Sequence, residues 1–273
     1  MSNPEAIVDS NLSYAWAQAF LRAMGPGKVT GHPLLLSVID LHSGEPLQNS
    51  AIRTALDGVL HAMNKTSVDD SAYTIFPFSM WNVRNPRPTR DWVFERYLHN
   101  LPRIKARNPL NRNGTYFERM IHFIGASEST EVKTINQLDH VIQVWQRADK
   151  REKGTSPRAS ALQVSCMDPA KDHTFQPRRG FPCLQQVSFT CDRENRLLTV
   201  NAYYPTQYIF DRGYGNYLGL CHLGLFMAHE MELQLDRLNC FIVTAELGDV
   251  TKTQLRELET ICKSALAAQQ LAQ

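Results

Sequence analysis

A cysteine that follows a proline at the mouth of an apolar, β-rich run is placed to act as a nucleophile, and Cys183 stands so in G-F-P-C-L-Q-Q-V-S-F. The thiolate attacks, and a free cysteine with a pKa of about 8.5 is mostly protonated at neutral pH, so the residue needs cationic neighbours or a helper. Arg178 and Arg179 in P-R-R-G-F-P-C, and Arg212 in the corner Y-I-F-D-R-G-Y-G-N, could face a Cys183 pocket and lower its pKa. Solvated positions are the alternative for them, since arginines mostly stay on the surface. Tyr203, Tyr204, Tyr208 and Tyr214 crowd the same stretch. They suit either an aromatic ligand wall or core packing. Without helpers, Cys183 is a buried cysteine.

Other constellations are weaker. His222 and His229 lie seven apart, on one face of a helix, but H-E-M-E-L is not the H-E-x-x-H of a zinc site, and no metal is expected. Gly27-Lys28-Val29-Thr30 lacks the upstream glycine of a phosphate loop and follows a helix instead of a strand. Residues 84–112 are locally basic, with Arg84, Arg87, Arg90, Arg96, Arg103 and Lys105 among them. A solvated basic face is one reading and a phosphate-facing flap the other. A net charge of +2 gives by itself no ground for a nucleic-acid partner.

The elements that must position Cys183 follow from periodicity. Apolar residues at helical spacing predict helices over 13–24, 51–63, 91–99, 134–147 and 251–271. The nearly all-apolar segment 217–233 predicts a central buried helix. Strands are expected over 33–41, 161–166, 183–191, 197–204 and 240–245, with a hairpin at D-R-E-N joining the third and fourth. The aromatic run 73–82, broken by Pro77, reads as a strand end or pocket wall; core packing and a stacking platform for a planar ligand both fit it. Strands and helices interleave without βαβ regularity, so the expected class is α+β, one mixed sheet with helices on one face. No linker divides the chain. We expect a single domain over 1–273, with 82–112 as a peripheral basic insertion.

P-C-L-Q-Q-V-S-F, the hairpin, L-L-T-V-N-A-Y-Y, the Gly-bearing corner ending at Asn216 and the long apolar helix resemble the second half of the thymidylate synthase and pyrimidine hydroxymethylase superfamily. Upstream, N-G-T-Y-F-E-R-M-I-H-F followed by T-I-N-Q-L-D-H-V-I-Q-V-W is similar to that family's tyrosine-bearing segment and D-Q-L helix. The similarity spans about residues 110–250. It implies a thymidylate synthase-like fold, a homodimer joined through the sheet face, and a cysteine that adds to C6 of a pyrimidine so that C5 can take a one-carbon unit from 5,10-methylenetetrahydrofolate. It casts Cys183 as nucleophile, Tyr116 in the proton-moving network, Asn216 as reader of the pyrimidine edge and Phe76 near the folate-stacking position.

The departures from that pattern fall on residues the chemistry needs. The family's phosphate-gripping arginine–serine pair is Pro205-Thr206 here, the aspartate beyond it is Tyr208, and the arginines reached across the dimer are Ser160 and Ala161. The essential glutamate aligns with Gly58, the ribose-holding pair is replaced around 249–252, and the family's closing C-terminal segment is expected to be missing. Lost charge-assisted bonds cost roughly 1.5–3 kcal/mol each, and a lost general acid–base group about 10²–10⁴ in rate. Ordinary thymidylate synthesis is therefore not the expected activity.

Composition sets the outer bounds. Hydrophobic content of 43% with 21% charged residues is that of a globular protein. No run approaches the roughly 18 apolar residues of a membrane span and the N-terminus lacks a signal-peptide pattern, so a cytoplasmic protein with no membrane partner is expected. Six cysteines without a C-x-x-C pair suit reduced thiols. Two functions stay open. One is a cysteine-dependent methyl or hydroxymethyl transferase acting on a pyrimidine-like nucleoside or nucleotide, with altered phosphate anchoring. The other is a non-catalytic ligand-binding or interaction protein that keeps the fold and the dimer.

Overall fold

The computed structural model describes residues 5–25, 33–82, 86–125, 134–150, 157–176 and 181–272. The order begins β1 (Glu5–Asp9), α1 (Leu12–Met24), β2 (Leu34–Val38), α2 (Ser50–Ala62), α3 (Val68–Tyr73), α4 (Phe78–Trp81) and α5 (Arg90–Arg107). It continues α6 (Tyr116–Ile121), β3 (Phe123–Ile124), β4 (Thr134–Ile135), α7 (Gln137–Asp149), β5 (Gln163–Ser165), α8 (Pro169–Asp172) and β6 (Gln186–Asp192). The last elements are β7 (Leu197–Tyr208), α9 (Tyr214–Glu230), β8 (Gln234–Glu246) and α10 (Arg256–Ala272). The class is α+β, built on a mixed sheet.

Side-chain alternation divides that sheet into two unlike faces. Its strands run β1-β2-β8-β7-β6-β5, with β1–β2 and β7–β8 parallel and the other pairs antiparallel. The register lines up Leu36, Cys240, Ala202, Val187 and Val164 across five strands, all buried. One residue along each strand, the row is polar. Ser37 Oγ donates to Asn239 Oδ1 at 2.7 Å and Asn239 Nδ2 to Asn201 Oδ1 at 2.9 Å. The next row on this open face carries Leu35, Phe241 and Tyr203, 39%, 43% and 38% exposed, the two rings stacked.

α9 lies on the buried face and is itself buried on nearly all sides. Small residues allow it to come so close. A Cβ on Gly224 would stand 2.7 Å from Leu235 Cδ1 in the sheet, and one on Gly215 or Gly219 would stand 2.7 Å from a backbone oxygen of α3. Two buried indoles tie the ends of this layer: Trp16 Nε1 donates to Ile209 O at 2.8 Å, and Trp145 Nε1 to Met231 O at 2.9 Å. Of the apolar stripe expected on the helix over 134–147, α7 buries Leu138, Val141, Ile142 and Trp145, whereas Ile135 lies before the helix in β4 and is 40% exposed.

Several expectations are corrected. The segment 82–112 is not simply peripheral, because α5 drives Val93, Phe94 and Tyr97 into the core. Its charges are partly used internally: Arg90 stands 3.1 Å from Asp139, Lys105 2.8 Å from Glu118, and Arg87 lies over the Trp81 ring. Phe76 offers no stacking platform. It is 0% exposed and is packed by Trp81, Phe117 and Phe226, which leaves no ring face for a ligand. Tyr204 and Tyr214 are likewise core residues, and Tyr203 belongs to the open sheet face. β1 is a strand that periodicity did not predict.

Candidate functional site

β7 leaves the sheet at Tyr208, and a single wide turn, Ile209–Gly213, feeds the chain into α9. This corner is one wall of a cavity of about 630 Å³. The other walls are the chain after α2 (63–66), Thr74 after α3, the segment 109–116 and residues 181 and 183. Cys183, Tyr116, Asn216, Arg212 and Tyr208 all line it. Arg178 and Arg179 lie outside the described residues, and Phe76 does not line the cavity.

Tyr116 is the fixed point. Thr115 caps α6 with a reciprocal box to Glu118 and meets the buried Tyr97 hydroxyl at 2.7 Å, which sets Tyr116 as the first helical residue. Its hydroxyl oxygen accepts from the backbone N–H of Cys183 at 3.2 Å and of Leu184 at 3.3 Å. β6 therefore begins only at Gln186, and Cys183 sits before the strand instead of inside it. Beneath, Phe181 packs on Tyr116, and the Arg119 guanidinium lies 5.3 Å over the Phe181 ring. Arg119 is itself buried and clamped by two N–H bonds to Asp172, at 3.1 and 3.0 Å. The nucleophile candidate rests on a charge-anchored floor.

Electrostatics at Cys183 run in two directions. Burial pushes its thiol up from the ordinary value, while the Arg212 guanidinium pulls it down by less. Arg212 is oriented by Nη1 donating to Ser71 Oγ at 3.2 Å. Burial raises the Tyr116 phenol far above its usual range, so it stays protonated. Tyr208 is raised too, by partial burial and then by Glu246. The resting site is a neutral thiol beside a neutral phenol.

Three polar side chains here had no motif to announce them. Lys65 Nζ stands 3.0 Å from the Asp211 carboxylate, and Asp211 is the only acidic residue lining the cavity among the described residues. Gln207, 1% exposed, also lines it. Lys65 and Asp211 are 146 residues apart in sequence, which no local pattern can connect. Gly58 is exposed on α2 and Asp57 is bonded to Arg53, so neither lines the cavity.

His222 is placed elsewhere, stacked on Phe78 at 3.9 Å, and burial lowers its pKa to about 4. Among the described residues no three His, Cys, Asp or Glu side chains are grouped to hold a metal ion. Among the described residues no two cysteines are joined in a disulfide. No described helix is long and apolar enough to cross a membrane. No protein-family model and no curated protein matches the sequence.

Proposed function

We propose that the protein is a divergent thymidylate synthase-like enzyme, a cysteine-dependent transferase of one-carbon (methyl or hydroxymethyl) groups that uses Cys183 on a pyrimidine-like nucleoside or nucleotide. The observation that carries this reading is the convergence of Cys183, Tyr116 and Asn216 on one cavity, although 67 residues separate the first pair. They are the three residues for which the sequence resemblance implies nucleophile, proton handling and ring recognition.

The chain's own residues support a reaction on the ring. Cys183 Sγ adds to C6, its proton passing to solvent in the cavity; the C5–C6 π pair moves to C5. C5 then takes a proton from water, loses the original hydrogen to water, and expels the thiolate, restoring the ring. Splitting the exchange into addition and elimination is ordinary covalent catalysis. Tyr116 does not act as a base, because its buried phenol keeps its proton; with its oxygen accepting two backbone N–H groups, its own O–H is the group left to donate. Asn216, buried in the first turn of α9, makes no side-chain hydrogen bond to another described residue, which suits a ring-edge reader.

Methylenetetrahydrofolate, the donor implied by the resemblance, finds no stacking face at the sealed Phe76. Phosphate anchoring also differs: Pro205 and Thr206 carry no charge, and the cations lining the cavity are Lys65, Arg112 and Arg212. A second reading, ligand binding without turnover, is favoured by the raised thiol pKa. Incubation with C5-tritiated uracil and cytosine nucleosides and nucleotides separates the two. Tritium release that disappears in Cys183→Ser supports catalysis, whereas its absence across the panel leaves binding alone.

The open sheet face supports a homodimer. Leu35, Phe241, Tyr203 and the 55% exposed Val8 give it an apolar centre, and the asparagine row beside them can pair with the same row of a second copy.

A further inference from the structure

The charge of α5 is gathered on one face. Residues 90–113 hold six arginines and lysines against two acids, a surplus of four in a chain whose whole net charge is +2. Arg90 and Lys105 are held in ion pairs within the fold. Trp92, Arg96, His99, Arg103 and Arg107 recur at intervals of three and four residues and are all exposed. They form one stripe about 22 Å long, turned away from the buried Val93, Phe94 and Tyr97. Asp91 and Glu95 stand to one side of its N-terminal end. Arg96, Arg103, Arg107 and the exposed Arg112 make no side-chain hydrogen bond or ion pair with another described residue. The far end of the stripe leads into the cavity, because the chain just after Arg107 forms the wall 109–116, where Arg112 lies.

We propose that this stripe docks a single-stranded nucleic acid and leads one of its nucleotides to the cavity. Regularly spaced guanidiniums track a phosphate backbone, and an exposed indole offers its flat face to an unpaired base, which a duplex keeps inside its own stack. A membrane surface is the poorer fit: an amphipathic helix enters lipid by its apolar face, and that of α5 is turned into the core. The docking stands without the pyrimidine reading above. The delivery rests on that reading and enlarges the substrate from a free nucleotide to a base within a polymer, which a single strand presents without the full cost of unstacking. Arginines along the strand then supply the phosphate grip that Pro205 and Thr206 do not offer.

The test is titration of the full chain with DNA and RNA oligonucleotides of about 12 pyrimidine nucleotides, read by tryptophan emission and by anisotropy of a labelled strand across a salt series. Trp16, Trp81 and Trp145 are sealed in the core and Trp92 is 40% exposed, so quenching of emission reports stacking at Trp92. Affinity is expected to fall with salt at a log–log slope of about −3, for four arginine contacts. Arg103→Gln combined with Arg107→Gln weakens binding by about tenfold or more and roughly halves the slope. Trp92→Leu abolishes the quench and weakens binding about tenfold. All three residues are exposed, so the variants keep the fold. No binding at low salt, a flat salt response, equal or tighter binding of the matching duplex, or affinity unchanged in both variants would overturn the docking. Binding of phosphatidylserine vesicles without binding of the strand would overturn it in favour of a membrane. The bound strand is also expected to slow iodoacetamide labelling of Cys183 several-fold, followed on its peptide by mass spectrometry; an unchanged rate overturns the delivery. Strand binding without tritium release from C5-tritiated oligonucleotides sinks the catalytic reading and leaves the docking. Release from free nucleotides with no strand binding does the reverse.

Discussion

Cys183 is a thiol whose surroundings oppose its ionisation, and Arg212 is the charge that works against them. Alkylation by iodoacetamide followed against pH is expected to rise only above the range of an ordinary thiol. Removing the cation in Arg212→Gln shifts the curve further up, so labelling at a given pH slows several-fold. An unchanged curve would show that Arg212 does not act on the thiol. His222 makes a pH prediction of opposite kind. Its folded-state pKa of about 4 lies below its ordinary 6.5, so the unfolded chain binds the proton first. The stability contributed by the neutral ring is whole above pH 6.5 and is lost as pH falls toward 4, by roughly 2–3 kcal/mol. Urea melts of wild type and His222→Gln should show that extra acid loss in wild type alone. Tyr116→Phe leaves the N–H groups of Cys183 and Leu184 without their acceptor and is expected to cost about 1–3 kcal/mol in the same assay.

At the scale of elements, the contact between α9 and α3 governs the cavity. Asn216 lies between Gly215 and Gly219, the two residues whose missing side chains let the helices touch. Gly215→Ala would put its Cβ 2.5 Å from Ser71 Cβ and 2.7 Å from Val68 O. Backbone cannot yield as a long side chain can, so a destabilisation of about 1–3 kcal/mol is expected, with weaker ligand binding because Asn216 moves with its helix. Equal stability and binding would refute this coupling. Periodicity made α1, α2 and α7 legible, because each shows its buried face in sequence, and α9 was legible from its nearly all-apolar composition. It could not say which aromatic of 73–82 would be sealed, since Phe76 is closed off by Phe117 and Phe226 from distant segments. Cys183 and Arg212 were readable from chemistry and order. Lys65, Asp211 and Gln207 were not, because nothing local distinguishes a polar side chain that faces a cavity from one that faces water.

At the scale of the molecule, the sheet has one face covered by helices and one open. Phe241→Glu places a charge at the centre of the open face, on a residue already 43% exposed, so folding should survive. Light scattering is expected to show a dimer for wild type and a monomer for the variant; a monomeric wild type would refute the interface. The cavity has a further consequence through its make-up. Its walls come from five places in the chain, 63–66, Thr74, 109–116, 181 and 183, and 207–216, and the helix carrying the last of them is seated against β8, which ends at Glu246. A chain that ends before Gln234 holds every residue lining the cavity but lacks the strand its last helix rests on, so the cavity is expected to take its shape only once β8 has joined the sheet.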